Sequence, residues 1–479
     1  MPATLFSKGK MGIDGNRPID TASGAIAAQV NDPTIVADTG AAFVRINFVL
    51  GPWNSPGDAT HYAGRTWFQA YDKIVNGFLN QGVEVYGLIG SEATSRADPG
   101  DRFRVASPNP DAEDWLREYE ANFEAIVDHF AGRVDVYESF NEPNDWHGGS
   151  NNWIHSYWFA RMLRVLYQKV KIDNGHDVTL VSGPLLTHDL PTGGDDGTYY
   201  LDRTYLLGRA SHNWEQFQND HGTYPLDAVG YHLYVAEAAN ATPTDVERVY
   251  NRYLNAIRGV ITRYEGSLTD KGLHVSEYGW SSEHGEQKQS ERMEAGFRLL
   301  RDHSHVKSAS WFCLQDFPGK LYGLYHAGSL TPANRKQAYS TYQTLIDESG
   351  PTPQVGYDAQ GIFYPEILAA YNRNGGEAKL GLPFDNGGGA PVHPWGAGMV
   401  QDFKTTAGDM AVIMLKNGST TAYMVNGIIR HRYIYTYGGP LGPLGFPATD
   451  ITLDEWSLPR CEFDGGVISC RTYTEFHDD

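Results

Sequence analysis

Cysteine, cationic side chains and long apolar runs are all scarce in this sequence, and each shortage closes off a class of protein. Lys and Arg number 38 against 58 Asp and Glu, a formal charge of −20, so a nucleic-acid or anionic-membrane partner would be repelled. No run of about 20 apolar residues occurs, so no segment is read as spanning a membrane. Met1 to Lys10 lacks a basic region followed by an apolar run and does not read as a signal peptide. Of the three cysteines, Cys313 lies in an apolar, strand-like run and reads as a buried small hydrophobe rather than a nucleophile. Neither a Gly-x-Ser-x-Gly elbow nor a His-Glu-x-x-His metal motif occurs, and no metal or cofactor is expected.

Aromatic residues are plentiful instead: 13% of the chain, with 11 Trp and 29 Tyr. Exposed rings in that number suit the faces of sugars, although core packing accounts for most of them. At 479 residues the chain exceeds the roughly 250–300 at which a single core stops growing, so two domains are expected. Two short stretches stand out. Tyr137-Glu138-Ser139-Phe140-Asn141-Glu142-Pro143-Asn144 is a strand that must open into a loop, because Pro143 has no amide hydrogen to donate. His274-Val275-Ser276-Glu277-Tyr278-Gly279-Trp280 is a second strand ending in an acid among aromatics, 277 − 142 = 135 residues further on.

From Gly9 to about Ile346, short apolar runs alternate with longer amphipathic ones, which predicts repeated β-then-α units. Eight strands are expected, at Met11 to Ile13, Phe43 to Phe48, Val83 to Ile89, Val134 to Phe140, Val178 to Gly183, Ala228 to Tyr234, Leu273 to Tyr278 and Ser308 to Leu314. Eight such units in roughly 350 residues predict an α/β chain whose residues 1–349 form a closed (β/α)8 TIM barrel. In that fold active-site groups come from the carboxyl ends of the strands, where Glu142 and Glu277 both fall. His303-Ser304-His305 precedes the eighth strand, at the opposite end.

Past a Pro- and Gly-bearing linker near Asp347 to Val355, glycine rises and long amphipathic segments become scarce, which predicts a smaller β-rich domain over 356–479. Within it, Tyr371 to Pro383 is echoed by Tyr435 to Pro447 at a spacing of 444 − 380 = 64 residues, measured Leu to Leu. Cys461 and Cys470 bracket a Gly465-Gly466 pair; a two-residue turn there would set them opposite each other, which predicts a cross-strand disulfide and an oxidising compartment.

Cleaving a glycosidic bond requires a proton for the departing oxygen and negative charge against an oxocarbenium-like centre, so two carboxyl groups flank the bond. On Asn141-Glu142-Pro143 at the fourth strand and Glu277 at the seventh, residues Leu5 to Ile346 resemble a glycoside hydrolase of clan A, in the neighbourhood of families 5 and 39. The resemblance implies Glu142 as acid/base, Glu277 as nucleophile and Asn141 as a ligand of the sugar 2-hydroxyl. It places Arg45, a charge inside the apolar second strand, beside the nucleophile; a structural ion pair with Glu138 or Asp14 is the alternative. Tyr231-His232-Leu233-Tyr234 resembles the clan's His-x-Tyr element, with Tyr234 donating to Glu277 and His232 meeting substrate or the acid/base. Trp311 would lie under the sugar, and Trp146, Trp53 and Trp153 would line further subsites. The repeats of the second domain are similar to LGFP repeats of bacterial cell-envelope proteins, which implies an envelope glycan as partner and an extracellular or envelope-associated location. A monomeric retaining hydrolase of β-linked carbohydrate is expected, against the alternative of a barrel that binds glycan without cleaving it.

Overall fold

The computed structural model describes residues 6, 9–27, 32–59, 64–96, 99–145, 153–188, 197–266, 269–349, 355–358, 362–384, 390–405, 408–454, 458–470 and 476–478. The chain divides into two compact units, Met1–Ser349 and Gly350–Asp479.

In the first unit the β-then-α rhythm becomes β1 (Met11–Asn16), α1 (Pro33–Asp38), β2 (Phe43–Asn47), α2 (Trp67–Asn80), β3 (Glu84–Ile89), α3 (Pro110–Phe130), β4 (Val136–Ser139) and α4 (Ser156–Tyr167). It continues through β5 (Thr179–Val181), β6 (Leu185–His188), α5 (Thr198–Ser211), α6 (Trp214–His221), β7 (Val229–Tyr234), α7 (Pro243–Glu265), β8 (Leu273–Tyr278), α8 (Glu286–Asp302), β9 (Val306–Trp311) and α9 (Gln337–Ser349). Helix starts follow local chemistry. Thr66 and Thr242 close capping boxes with Gln69 and Asp245 at the heads of α2 and α7, and Pro243 takes the first turn of α7, where its missing amide hydrogen costs nothing. The apolar face of α2, Trp67, Ala70, Tyr71, Ile74, Val75 and Phe78, is wholly buried, at about 1.5–3 kcal/mol for each large side chain.

All strand pairs of this sheet are parallel, in the order β5-β4-β3-β2-β1-β9-β8-β7-β6. The Val181–Ala228 bridge joins β5 to the lead-in of β7, so β5 and β6 are two pieces of one stave and the sheet closes into the (β/α)8 barrel. Sequence reasoning expected one unbroken fifth strand ending at Gly183. The break has a local cause: Pro184 lacks an amide hydrogen, and Gly183 passes so close to β4 that a Cβ there would lie 2.4 Å from the Ser139 carbonyl oxygen. At the amino-terminal end, Phe6, Phe43, Tyr86, Val136 and Val181 form a dry floor, with the Phe6 and Phe43 rings stacked 4.0 Å apart.

The second unit holds a duplication that is structural as well as textual. Its first copy comprises α10 (Pro365–Arg373), α11 (Gly376–Leu380) and the antiparallel strands β10 (Leu382–Pro383), β11 (His393–Pro394), β12 (Gly398–Lys404), β13 (Met410–Lys416) and β14 (Tyr423–Asn426). The second comprises α12 (Gly427–Tyr435) and the strands β15 (Thr452–Leu453), β16 (Pro459–Phe463), β17 (Gly466–Cys470) and β18 (Phe476–Asp478). Pro383 pairs with Phe403, and Pro447 pairs with Phe463. A helix tyrosine donates to the glycine two residues before each proline: Tyr371 to the Gly381 carbonyl at 2.7 Å, Tyr433 to the Gly445 carbonyl at 2.5 Å. The textual echo aligned Tyr371 with Tyr435, whereas the geometric counterpart is Tyr433.

The expected Cys461–Cys470 disulfide does not form. The hairpin turns at Asp464-Gly465, so Phe463 pairs with Gly466 and Cys461 with Ile468. Cys461 is a buried free thiol whose Sγ lies 3.3 Å from the Thr449 carbonyl oxygen. A turn one residue earlier than Gly465-Gly466 moves every cross-strand partner.

Candidate active site

Strand β4 delivers Glu138 into the barrel and then breaks sharply. Phe140 and Glu142 both adopt positive φ, 72° and 47°, an uncommon conformation for residues with a Cβ that holds the Glu142 carboxyl over the mouth. The turn is pinned from several sides. Tyr119 donates to the Ile89 carbonyl at 2.6 Å and meets the Phe140 amide at 3.0 Å, while Asn144 exchanges two hydrogen bonds with the Leu186 backbone, at 2.9 and 2.8 Å.

Arg45 on β2 organises the interior. A guanidinium has five N–H bonds: Nε donates to Glu138 Oε2 at 2.9 Å, Nη1 to Asp14 Oδ2 and Glu277 Oε1 at 2.7 Å each, and Nη2 to Asn141 Oδ1 at 3.2 Å, while Nη2 also lies 2.8 Å from Glu138 Oε2 as an ion pair and 3.5 Å from His232 Nε2. The two readings of Arg45 in the sequence are thus both realised, since it touches Glu277 and the structural acids together. Burial of this cluster sets its electrostatics. Burial would raise the Glu277 carboxyl, but the charges of His232 and Arg45, with the hydrogen bonds of Tyr234 and Arg45, hold it below the ordinary carboxylate range. Asp14 moves the other way: burial pushes it up to about 7 against the pull of Arg45, and the Glu277 charge adds to the rise.

Tyr234 on β7 donates to Glu277 Oε2 at 2.5 Å, so each oxygen of Glu277 carries a donor. His232, two residues earlier on the same strand, is fully buried; its Nδ1 lies 2.7 Å from Glu142 Oε1 and its Nε2 lies 3.1 Å from Ser276 Oγ. Burial would lower the imidazole, but the charge of Glu277 and the hydrogen bond and charge of Glu142 raise it above its ordinary value. The structure therefore brings together Arg45, Asn141, Glu142, His232, Tyr234 and Glu277. Glu142 and Glu277 each keep some access to solvent, with side chains 16% and 12% exposed.

Trp311 does not join them. Its indole is buried in the wall, donating to the Tyr322 carbonyl at 3.1 Å and packing on Tyr278 and Trp280. Strand alternation turns the next residue, Phe312, toward the mouth, where its partly exposed ring meets Tyr234 edge-on at 5.8 Å. Tyr322 completes a triangle of rings, 5.7 Å from Tyr234 and 5.9 Å from Phe312, and its hydroxyl donates to Glu237. Sequence reasoning missed Phe312, Tyr322, Glu237 and Ser276; an aromatic directly after a strand-eight tryptophan was the available signal for the first. Trp146 lies outside the described residues. Trp53 is buried, and Trp153 is partly exposed beneath the Arg104 guanidinium, 5.1 Å from its ring centre.

Glu142, His232 and Glu277 have atoms within 4.8 Å of one another, a spacing that a divalent ion could also span. The donor set argues for hydrogen bonding instead: both Glu277 oxygens already accept bonds, one of them from the cationic Arg45, which an ion placed there would face.

No family model matches this sequence, and no curated protein does. Solved structures do match its fold. A family 39 glycoside hydrolase from Bacteroides cellulosilyticus aligns with 88% of this chain and 72% of its own at 14% identity and a TM-score of 0.45. A family 1 β-glucosidase from Thermotoga maritima aligns with 72% of this chain and 98% of its own at 14% identity and a TM-score of 0.48. A family 128 endo-β-1,3-glucanase from Sorangium cellulosum aligns with 70% and 98% at 12% identity and a TM-score of 0.43. At these identities the likeness is one of fold.

Proposed function

We propose that this protein is a retaining glycoside hydrolase that cleaves β-linked poly- or oligosaccharide by double displacement. The observation that carries the reading is the pair of carboxyl groups at the mouth. Oxygens of Glu142 and Glu277 lie within 4.8 Å of each other, a spacing that supports the roughly 5–5.5 Å of retaining enzymes over the roughly 6.5–9.5 Å of inverting ones. Their surroundings divide the labour. Glu277, held ionised by Arg45 and Tyr234, attacks the anomeric carbon as the bond to the leaving oxygen breaks and Glu142 gives that oxygen its proton. Glu142 then takes a proton from the water that attacks the anomeric carbon and releases Glu277. Asn141, fixed by Arg45, faces the sugar 2-hydroxyl, and Phe312 offers the apolar face first assigned to Trp311.

Turnover is sought on a panel of nitrophenyl β-glycosides and polysaccharides, followed by labelling with a 2-fluoro glycoside matched to the accepted sugar. Peptide mass spectrometry is expected to find the label on Glu277; inversion of the anomeric centre, or label elsewhere, rejects double displacement. The second unit is proposed as LGFP-repeat-like and as the contact to an envelope glycan, with an extracellular or envelope-associated site of action. With Cys461 a free thiol, that location rests on the repeat resemblance alone.

A further inference from the structure

Behind Glu142 runs a buried chain of hydrogen bonds whose polarity can be read atom by atom. At its inner end Glu138, fully buried and paired with Arg45, can only accept. Two hydroxyls converge on its Oε1, from Ser276 at 2.6 Å and Tyr86 at 3.3 Å. The single hydroxyl hydrogen of Ser276 is therefore spent on Glu138, and its oxygen can only accept from His232 Nε2, 3.1 Å away. Arg45 Nη2, which can only donate, also lies 3.5 Å from Nε2 and is the longer and weaker of the two hydrogen-bond contacts there. Glu277 Oε1, 3.5 Å from Nε2, is another acceptor. The nearest neighbour of Nε2, Ser276 Oγ, and the Glu277 carboxylate both call for a hydrogen on it, against the single more distant donor Arg45. Nδ1, 2.7 Å from Glu142 Oε1, is left as the nitrogen whose proton comes and goes.

We infer that Ser276 and Glu138 are positioning residues that fix the His232 tautomer and so decide which oxygen of Glu142 carries the transferable proton. The inference rests on the acid/base role proposed for Glu142. With the ring charged, Nδ1–H donates to Oε1, and Glu142 carries its proton on Oε2. In the first step that O–H bond breaks as the leaving oxygen gains the hydrogen; the electron pair stays on the carboxylate, and Nδ1–H stabilises it. In the second step Oε2 takes a proton from water. With the ring neutral, Nδ1 is a lone pair that holds the Glu142 proton on Oε1, away from the substrate. The alkaline limb of activity then belongs to His232. The groups facing that ring are Glu142 from the loop after β4, Glu138 from β4, Ser276 and Glu277 from β8, Arg45 from β2, Asp14 from β1 and Tyr234 from its own strand. The attraction of Glu277 and Glu142 raises the imidazole, in keeping with a charged ring in the working form.

The test is Glu138→Gln. Its amide oxygen keeps Arg45 and its NH2 turns to Ser276, which must then donate to Nε2 and force a hydrogen onto Nδ1 of the neutral ring. Nitrogen-15 NMR of labelled His232 above its pKa is expected to show the Nε2–H tautomer in the native protein and Nδ1–H in Glu138→Gln. Ser276→Ala, which empties no more than a hydroxyl's space, is expected to show a mixture. On an aryl glycoside with a poor leaving group, native activity should fall about tenfold per pH unit above the imidazole pKa, and Glu138→Gln should lose that limb. With a leaving group that needs no proton, the two proteins should have parallel profiles on the first step. A native ring in the Nδ1–H form, or a tautomer unmoved in both variants, overturns the inference. A native protein that hydrolyses no glycoside overturns the proposed function instead, and leaves the NMR result to decide the tautomer.

Discussion

Two arginines are buried to nearly the same degree in the two units, Arg45 with 3% and Arg430 with 4% of its side chain exposed, yet their surroundings differ in stoichiometry. Arg430 meets one buried carboxylate, Asp402, at 3.0 Å, and its Nε has no partner among the described residues. Arg45 meets three carboxylates, and each of its three nitrogens donates a hydrogen bond. A single buried pair with a spare donor is what a fold can tolerate for shape. Three acids on one cation is an arrangement a purely structural core would shed, because like charges in low dielectric resist joint ionisation. The excess sits at the barrel mouth, where chemistry can use it.

That contrast can be broken by experiment. The largest effect is expected from Glu277→Gln and Glu142→Gln, which should leave circular dichroism unchanged while turnover of poor-leaving-group glycosides falls by about 10²–10⁴-fold or more; native-like turnover in either would return the cluster to a structural role. Next come the arginines themselves. Arg45→Met strands three buried acids and should abolish activity with a stability loss above the roughly 3–5 kcal/mol typical of a broken buried pair. Arg430→Met should cost about 3–5 kcal/mol in urea unfolding of the second unit and leave turnover per folded molecule intact. Equal activity losses would erase the distinction.

A smaller effect separates the acids of the cluster by pH. The Asp14 carboxyl is raised from 3.8 to about 7 in the folded protein, so between those values the native state holds a proton that the unfolded chain has lost. Its contribution is present below about 4 and is lost as pH rises through about 7. The stability of the native protein relative to Asp14→Asn should therefore decline over that range in urea titrations; a rise would place the shared proton elsewhere. The smallest expected change is in the repeats. Tyr371→Phe and Tyr433→Phe each delete one hydrogen bond to a glycine carbonyl and should cost about 1 kcal/mol apiece by thermal unfolding. Unequal costs would show that the two copies are alike in geometry but not in load.

Much of this was legible along the chain because it is periodic or punctuated. The eight staves followed from apolar runs between amphipathic ones, and Pro143 marked where β4 must stop. Glu142, Tyr234 and Glu277 fall at or just past strand ends that pattern could place, whereas grouping them with Arg45, Asn141 and His232 came from the resemblance. Where reading failed, a one-residue choice of register was involved. The hairpin turn fell at Asp464-Gly465, which separated Cys461 from its expected partner, and the alternation of β9 buried Trp311 and presented Phe312.

The sequence by itself determined the barrel, its division from a glycine-rich second unit and the two acids at the strand ends, because hydrophobic period and helix-breaking residues act locally. Only the tertiary structure decided how the interior is wired. Ser276 and Glu277 are neighbours on β8, and strict alternation would send them to opposite faces. The register of β8 against β9 shifts between Val275 and Tyr278, and that bulge lets both reach inward, Glu277 to Arg45 and Ser276 to His232 and Glu138. A bulge depends on the strands on either side, so no reading of β8 alone could have found Ser276.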